Sequence, residues 1–407
     1  MEKQKNSPAL RFSEFTEGWV VKKLGDVATF SKGKGISKAD IAEDGITECI
    51  RYGELYTFYG ETINEIKSKT NIDVKDLVLS EANDVIIPAS GETQIDIATA
   101  SCVLKKGIAL GGDLNIIKTK NNGVFLSYYL NSKRKYDIAN LAQGISVVHL
   151  YSSQLATLNL NLPTLPEQQK IATFFTTIDK KLSGLKEKKN FLTEYKKGVM
   201  QQLFLQALRF KNTEDGDFED WEEKTLREVT TYVDYRGRAP IKKEEGHFLV
   251  TAKNIKKGYI DYECSKEYVA ENDYTNVMSK GLPKIGDILF TTEAPMGNVA
   301  QVDKDNIALA QRVIKFRSKK MLSNLYLLHY MLSDIFQKAI SEKAIGTTVQ
   351  GISGKELHQI KLSFPSLVEQ EKIANFLSAL DEKIQTVSAQ IEKTEAWKKG
   401  LLQRMFV

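Results

Sequence analysis

Two long stretches of the chain place apolar residues three and four apart. In the first they are Ile171, Phe174/Phe175, Ile178, Leu182, Leu185, Leu192, Tyr195, Val199 and Leu203. In the second they are Ile373, Phe376/Leu377, Leu380, Ile384, Val387, Ile391, Trp397, Leu401 and Met405. That spacing predicts two amphipathic helices of coiled-coil type, each about 60 Å long at 1.5 Å per residue. Thr164-x-x-Glu167 and Ser366-x-x-Glu369 open them in the pattern of a capping box. A helix with such a stripe needs a partner, and the other copy is the obvious one. Ahead of each helix the pattern changes to short β-like runs between Gly, Asn and Asp turn signals: 84–90, 107–110, 114–118, 286–292 and 312–316. A helix-like apolar segment follows (124–142 or 322–340), then a Gly-containing loop (143–148 or 346–350) and a short strand (155–163 or 357–365).

The two patterns are one pattern written twice. At an offset of 202, residues 162–204 and 364–406 match without a gap at 15 of 43 positions. The same offset aligns Trp19 with Trp221, Leu24 with Leu226, Val27 with Val229 and Gly144 with Gly346. A period this long excludes a solenoid, whose units run about 20–50 residues. The predicted fold class is α+β: two tandem globular domains related by a pseudo-two-fold and joined by two long antiparallel coiled-coil helices. The domains are expected at residues 1–163 and 209–365, at opposite ends of the helices that occupy 164–208 and 366–407. Helices so arranged would hold the domains at a fixed distance, as a ruler does.

Composition narrows the function without naming it. The chain has 407 residues, 42% of them hydrophobic, and a formal net charge of +5. The charge is uneven, since residues 211–223 hold one lysine against seven acids. Mildly basic domains suit a polyanionic partner and equally an ordinary solvated surface. No apolar run approaches a membrane span, and the first residues lack a signal peptide's apolar stretch, so a cytoplasmic location is expected. Cys49, Cys102 and Cys264 are widely spaced and read as reduced, buried thiols. No phosphate-binding Gly-Lys-Ser/Thr element, Pro-Pro-aromatic methyltransferase run or catalytic triad spacing is present. Gly33-Lys34-Gly35 reads as a flexible loop. His149, His247, His329 and His358 lack metal-ligand spacing, and His329 reads as a core histidine. No catalytic residue, metal site or cofactor is expected in this chain.

The repeated motif stands as Pro163-Thr-Leu-Pro-Glu-Gln-Gln-Lys-Ile-Ala-Thr-Phe174 and Pro365-Ser-Leu-Val-Glu-Gln-Glu-Lys-Ile-Ala-Asn-Phe376, with Lys-Lys-Gly-x-x-Gln-x-x-Phe endings at 196–204 and 398–406. With the opening Trp-x-x-x-x-Leu-x-x-Val element, it resembles the specificity (S) subunit of type I restriction–modification enzymes across essentially the whole chain. The one departure is Val368 against Pro166. The resemblance implies a non-catalytic subunit of a restriction endonuclease and adenine methyltransferase complex. Each domain would read one half of a bipartite, asymmetric DNA site. The helices would set the spacer and dock two methyltransferase subunits that use S-adenosylmethionine and recruit restriction subunits using ATP and Mg. The repeated motif offers Glu167, Gln168, Lys170 and Phe174, with Glu369, Gln370, Lys372 and Phe376, as partner-binding candidates.

Reading bases requires polar or cationic side chains presented from loops. The candidates in the first domain are Ser31, Lys32, Lys34, Arg51, Tyr52, Ser90, Glu92, Thr93, Gln94, Gln143 and Ser146. Those in the second are Tyr235, Arg236, Arg238, Lys253, Asn254, Thr291, Thr292, Asn298, Gln311, Arg312, Thr347, Thr348 and Gln350. Each also fits a solvated loop. Two other classes stay open at this stage: a coiled-coil adaptor bridging two identical protein partners without DNA, and an enzyme with an unrecognised site.

Overall fold

A computed structural model describes residues 6–212, 214, 216–235 and 240–407. The chain divides into unit 1, residues 1–186 with 389–407, and unit 2, residues 187–388. Each unit therefore contains the start of one long helix and the end of the other.

In unit 1 a five-stranded sheet runs in the order Ala28–Lys32, Leu114–Thr119, Asp84–Pro88, Ser101–Val103 and Thr62–Ile63. A three-stranded sheet, Ser68–Thr70, Thr47–Ile50 and Ala109–Leu110, packs beside it. Asp84–Pro88 is buried along its whole length, the signature of a strand covered on both faces. Its one charge is matched, because Lys118 Nζ reaches the Asp84 carboxylate at 2.8 Å. Unit 2 repeats the plan with four strands, Thr230–Asp234, Val313–Ser318, Ile288–Thr291 and Val299–Gln301. Three more follow, Tyr268–Val269, His247–Val250 and Ala308–Leu309. There the buried acid is Asp287, held by Arg317 at 2.6 Å and Lys315 at 3.5 Å. Burial opposes its ionisation, but the Arg317 bonds, the Lys284 amide and the Lys315 charge outweigh burial and hold its pKa below the ordinary value.

The apolar segments read as single helices are broken, each by a polar side chain that bonds to backbone. In unit 1 the segment is Gly123–Tyr129, a π-helical turn Leu130–Arg134, and Lys135–Leu141. Asn131 in the turn bonds both the amide and the carbonyl of Ala100, and Ser132 Oγ donates to Tyr128 O at 2.7 Å. In unit 2, Ser333 ends Asn324–Leu332 by donating to Tyr330 O and caps Asp334–Glu342 by accepting from Phe336 N. The closing segments begin as helical turns, Ser152–Leu155 and Gly354–His358, before the strands Asn159–Leu162 and Lys361–Phe364.

The long helices are Leu165–Phe204 and Leu367–Met405. They run antiparallel within each unit. In unit 1 Phe174 meets Trp397, Asp179 bonds Lys398 at 2.7 Å and Lys186 bonds Glu395 at 2.7 Å. In unit 2 Lys196 bonds Asp381 at 2.6 Å, while Leu203 and Phe204 share a core with Ile373 and Leu377. The stripe differs from the sequence reading in three places. Tyr195 and Trp397 are half-exposed, at 46% and 52%, whereas Thr394 is buried. Thr394 hides its hydroxyl on the Gln390 carbonyl at 2.7 Å, which a count of apolar residues cannot foresee. Among the described residues no helix is long and apolar enough to cross a membrane. Of the three thiols, Cys49 and Cys102 are buried, but Cys264 is exposed.

Candidate nucleic-acid interface

The repeated helix-start motif proves to be an internal clamp. Arg11 forks onto Glu167 with two bonds of 2.7 Å, and Trp19 Nε1 donates to the same carboxylate at 3.3 Å. Arg209 forks onto Glu369 at 3.1 and 2.8 Å. These carboxylates are therefore taken by arginines. Gln168 Oε1 accepts from Asn122 N at 3.0 Å, and Gln370 Oε1 accepts from Ser323 N at 2.8 Å. Each glutamine thus ties a helix start to the first turn of its domain's own helix. All four side chains are buried, so Glu167, Gln168, Glu369 and Gln370 cannot form a partner surface, a correction to the sequence reading. Lys170 pairs with Glu14 and lies 5.0 Å over Phe12, whose ring packs on Phe174. Lys372 donates to Lys211 O at 2.6 Å, and Phe376 packs on Phe210.

Among the reading candidates of unit 1, Ser31, Lys32, Lys34, Glu92, Thr93, Gln94, Gln143 and Ser146 are exposed. The Gly33–Gly35 loop is pinned, contrary to the flexible loop expected. Gly33 N, Lys34 N and the Gly35 carbonyl bond to Leu114, Leu110 and Gly112 at 2.9–3.0 Å. A Cβ on Gly33 would fall 1.9 Å from Gly111 O, so only glycine allows this approach. Ser90 is buried in a strand, Ser90–Gly91, paired with Val148–His149. That pairing joins two candidate loops, 90–94 and 143–148, into one surface. Thr93 caps the turn Gln94–Ile97, its hydroxyl accepting from Asp96 N at 3.1 Å. Arg51 and Tyr52 are half-buried, and Arg51 is tied to the buried Glu54 at 3.2 Å. Two residues passed over by the sequence reading belong here: exposed Tyr151, with Lys32 Nζ 5.8 Å from its ring centroid, and His149, stacked on it. The alternation of His149 and Tyr151 after the glycine loop was the available signal.

Unit 2 removes more candidates. Tyr235 is buried and its hydroxyl donates to the Gly281 carbonyl; burial pushes its pKa up. Asn254 is a loop staple, donating to the carbonyls of Asp261 and Ser265 at 2.9 and 2.8 Å. Thr291 and Thr292 are buried, with Thr291 Oγ1 accepting from Asn298 N at 2.9 Å. Asn298 is half-buried and spends its side-chain amide on Ile255 O at 2.7 Å. These are corrections with one cause: amides and hydroxyls that suit base edges suit tight loops equally well. Arg236 and Arg238 lie outside the described residues. Lys253, Gln311, Arg312, Thr347, Thr348 and Gln350 are exposed. Lys253, Gln311 and Arg312 converge with Lys242 and Glu267 around a recess of about 270 Å³. Arg312 bonds Glu293 at 2.7 Å, and Glu293 bridges to Gly351 at the base of the 346–350 loop. Both units therefore set a glycine loop against a cationic or amide-bearing loop. Such a surface can hold phosphates and read base edges. Among the described residues no group of three metal-ligating side chains occurs.

The model for the type I restriction modification DNA specificity domain matches the chain twice, at residues 16–194 and 218–396, again 202 apart. The specificity subunit of type I restriction enzyme MjaVIII from Methanocaldococcus jannaschii is 28% identical over 421 residues, covering 98% of this chain and 95% of that protein. The EcoKI specificity subunit of Escherichia coli is 21% identical, over 95% of this chain and 87% of its own. In fold, the crystal structure of a type I restriction-modification S subunit from M. genitalium is similar at a TM-score of 0.64 and 16% identity, covering 98% of this chain and 99% of that one.

Proposed function

The chain belongs to the family of type I restriction–modification specificity subunits, non-catalytic components that recognise DNA sequence, and from that premise we propose that it reads a bipartite, asymmetric site. Residues 1–163 read one half and residues 209–365 the other. The observation that carries this is the pair of exposed glycine loops in identical register, each bonded to a neighbouring loop, with different side chains on the shared frame. Different side chains on one frame give unlike half-sites.

The helical segments 164–208 and 366–407 set the spacer and dock two methyltransferase subunits. The docking faces are the exposed flanks of the helix starts, Gln169, Lys170 and Thr173 in one copy and Glu371 and Asn375 in the other, with the half-buried Lys372 beside them. S-adenosylmethionine belongs to those partners, ATP and Mg to the restriction subunits they recruit, and the assembly works in the cytoplasm. Methylome sequencing of a cell expressing this chain with its partners should return one bipartite motif. Inserting four helix-compatible residues between Lys186 and Asn190 extends that helix by about 6 Å and should change the spacer while leaving both half-sites intact. A change of base preference on insertion contradicts the reading, and so does a native mass showing a single methyltransferase per chain. Assembly with partners but no preference for any duplex would favour the protein adaptor.

A further inference from the structure

Each unit exposes aliphatic side chains on the hairpin of its glycine loop. Gln143 and His149 exchange backbone bonds of 2.9 and 2.7 Å, and Ile345 and Gly351 do the same at 2.8 and 3.0 Å. Both turns demand glycine. Gly144 has φ 123° and a Cβ there would sit 2.1 Å from Val147 O; Gly346 has φ 107° and its Cβ would sit 2.3 Å from Val349 O. On this frame Ile145 is 99% exposed, Val147 52%, Ile345 72% and Val349 58%. Singly exposed aliphatics are ordinary. Here the same hairpin exposes two of them in both units, in the turn in unit 1 and in the turn and its base bridge in unit 2, beside the loops that carry the reading candidates. A solvated turn gains nothing from isoleucine or valine, which bury almost no area there.

Duplex DNA offers just one aliphatic group on its base edges, the C5-methyl of thymine in the major groove. We infer that the two hairpins read thymine methyl groups, Ile145 and Val147 in one half-site and Ile345 and Val349 in the other. The valines occupy equivalent positions, but the isoleucine comes after the glycine in unit 1 and before it in unit 2. The methyl contact therefore falls at a different step of each half-site. The inference rests on the DNA-reading function proposed above.

The test uses the complex with its methyltransferase partners and duplexes carrying the site found by methylome sequencing. Thymines in each half-site are replaced one at a time by deoxyuridine, which removes the methyl alone. One replacement should weaken binding about fourfold, the worth of one buried carbon. Ile145→Ala with Val147→Ala should weaken binding to the unmodified duplex by a similar factor, and variant and replacement together should weaken it no further than either alone. Ile345→Ala with Val349→Ala should behave likewise in the other half-site. The methyl reading is overturned if no deoxyuridine matters, or if the two losses multiply. It is also overturned if 2-aminopurine in the site unstacks with the unaltered complex and not with the variant, since the aliphatic side chains would then be wedges. Loss of methyltransferase subunits from the variants by native mass would make these side chains a protein contact and overturn it too. If the unaltered complex fails to prefer its site over random duplex, the proposed function itself fails.

Discussion

In unit 1 the hydroxyl of Tyr128 donates to the carboxylate of Asp179 on the central helix, and Lys398 reaches that carboxylate at 2.7 Å. In unit 2 the equivalent position is His329, six residues after the capping residue Ser323 as Tyr128 is after Asn122. Its Nε2 lies 2.9 Å from Ser378 Oγ, which leaves Asp381 to Lys196 at 2.6 Å. The long helices are thus pinned in each unit by an Asp–Lys bridge of the same register. The domain's own helix joins the bridge in unit 1 and bypasses it in unit 2. The Asp and Lys identities between the copies, Asp179 with Asp381 and Lys196 with Lys398, serve this bridge. The clamps at the helix starts differ in the same sense, because Glu167 holds Arg11 and Trp19 whereas Glu369 holds Arg209. One duplicated frame has acquired different chemistry in its two copies.

Removing a clamp should have the largest effect. Glu167→Ala leaves the Arg11 guanidinium without its partner in a mostly buried place and should cost about 3 kcal/mol or more. Glu369→Ala should cost less, since Arg209 is more exposed and no indole bond is lost with it. Urea unfolding of the two variants measures the difference; equal losses would mean that the Trp19 bond contributes nothing.

Acid should separate the units next. Burial, with the Lys196 charge adding to it, lowers the pKa of His329 to about 3. The folded state therefore binds this proton later than the unfolded chain, whose histidine titrates near 6.5. The contribution is fully present above about pH 6.5 and is lost as pH falls toward 3, at up to about 1.4 kcal/mol per pH unit. His329→Gln should flatten that part of the stability curve. Tyr128→Phe should leave the slope between pH 6.5 and 4 unchanged. An unaltered slope in the His329 variant would assign the acid sensitivity to carboxylates.

The bridges themselves should matter least. Asp179→Asn weakens both the Tyr128 and Lys398 bonds and should cost about 1–2 kcal/mol. Asp381→Asn weakens one half-exposed ion pair and should cost less than about 1 kcal/mol. Thermal unfolding of the pair of variants checks the order, and the reverse order would mean that Tyr128 contributes no net stability.

Much of this frame is legible in the sequence because period and repetition encode it. The three-and-four spacing gives both long helices, and the constant offset gives the paired glycine loops, whose turns exclude any Cβ. The reading residues are less legible for a chemical reason. Asn254, Thr291 and Asn298 have the side chains that base edges require, yet each satisfies backbone groups of a tight loop. Glu167 and Gln168 look like solvated side chains on a helix start until Arg11 and the Asn122 amide are brought to them from 156 and 46 residues away. Such long-range partners leave no local pattern. Ile145 was invisible for the opposite reason: an apolar residue in sequence reads as core, and this one is exposed.

The central claim is that each globular segment is a self-contained reader of one half-site. Exchanging residues 1–163 for those of another family member, and sequencing the methylome of a cell expressing the hybrid with its partners, tests it directly. The account predicts that one half-site changes while the other half-site stays as it was. A change in both half-sites would contradict it.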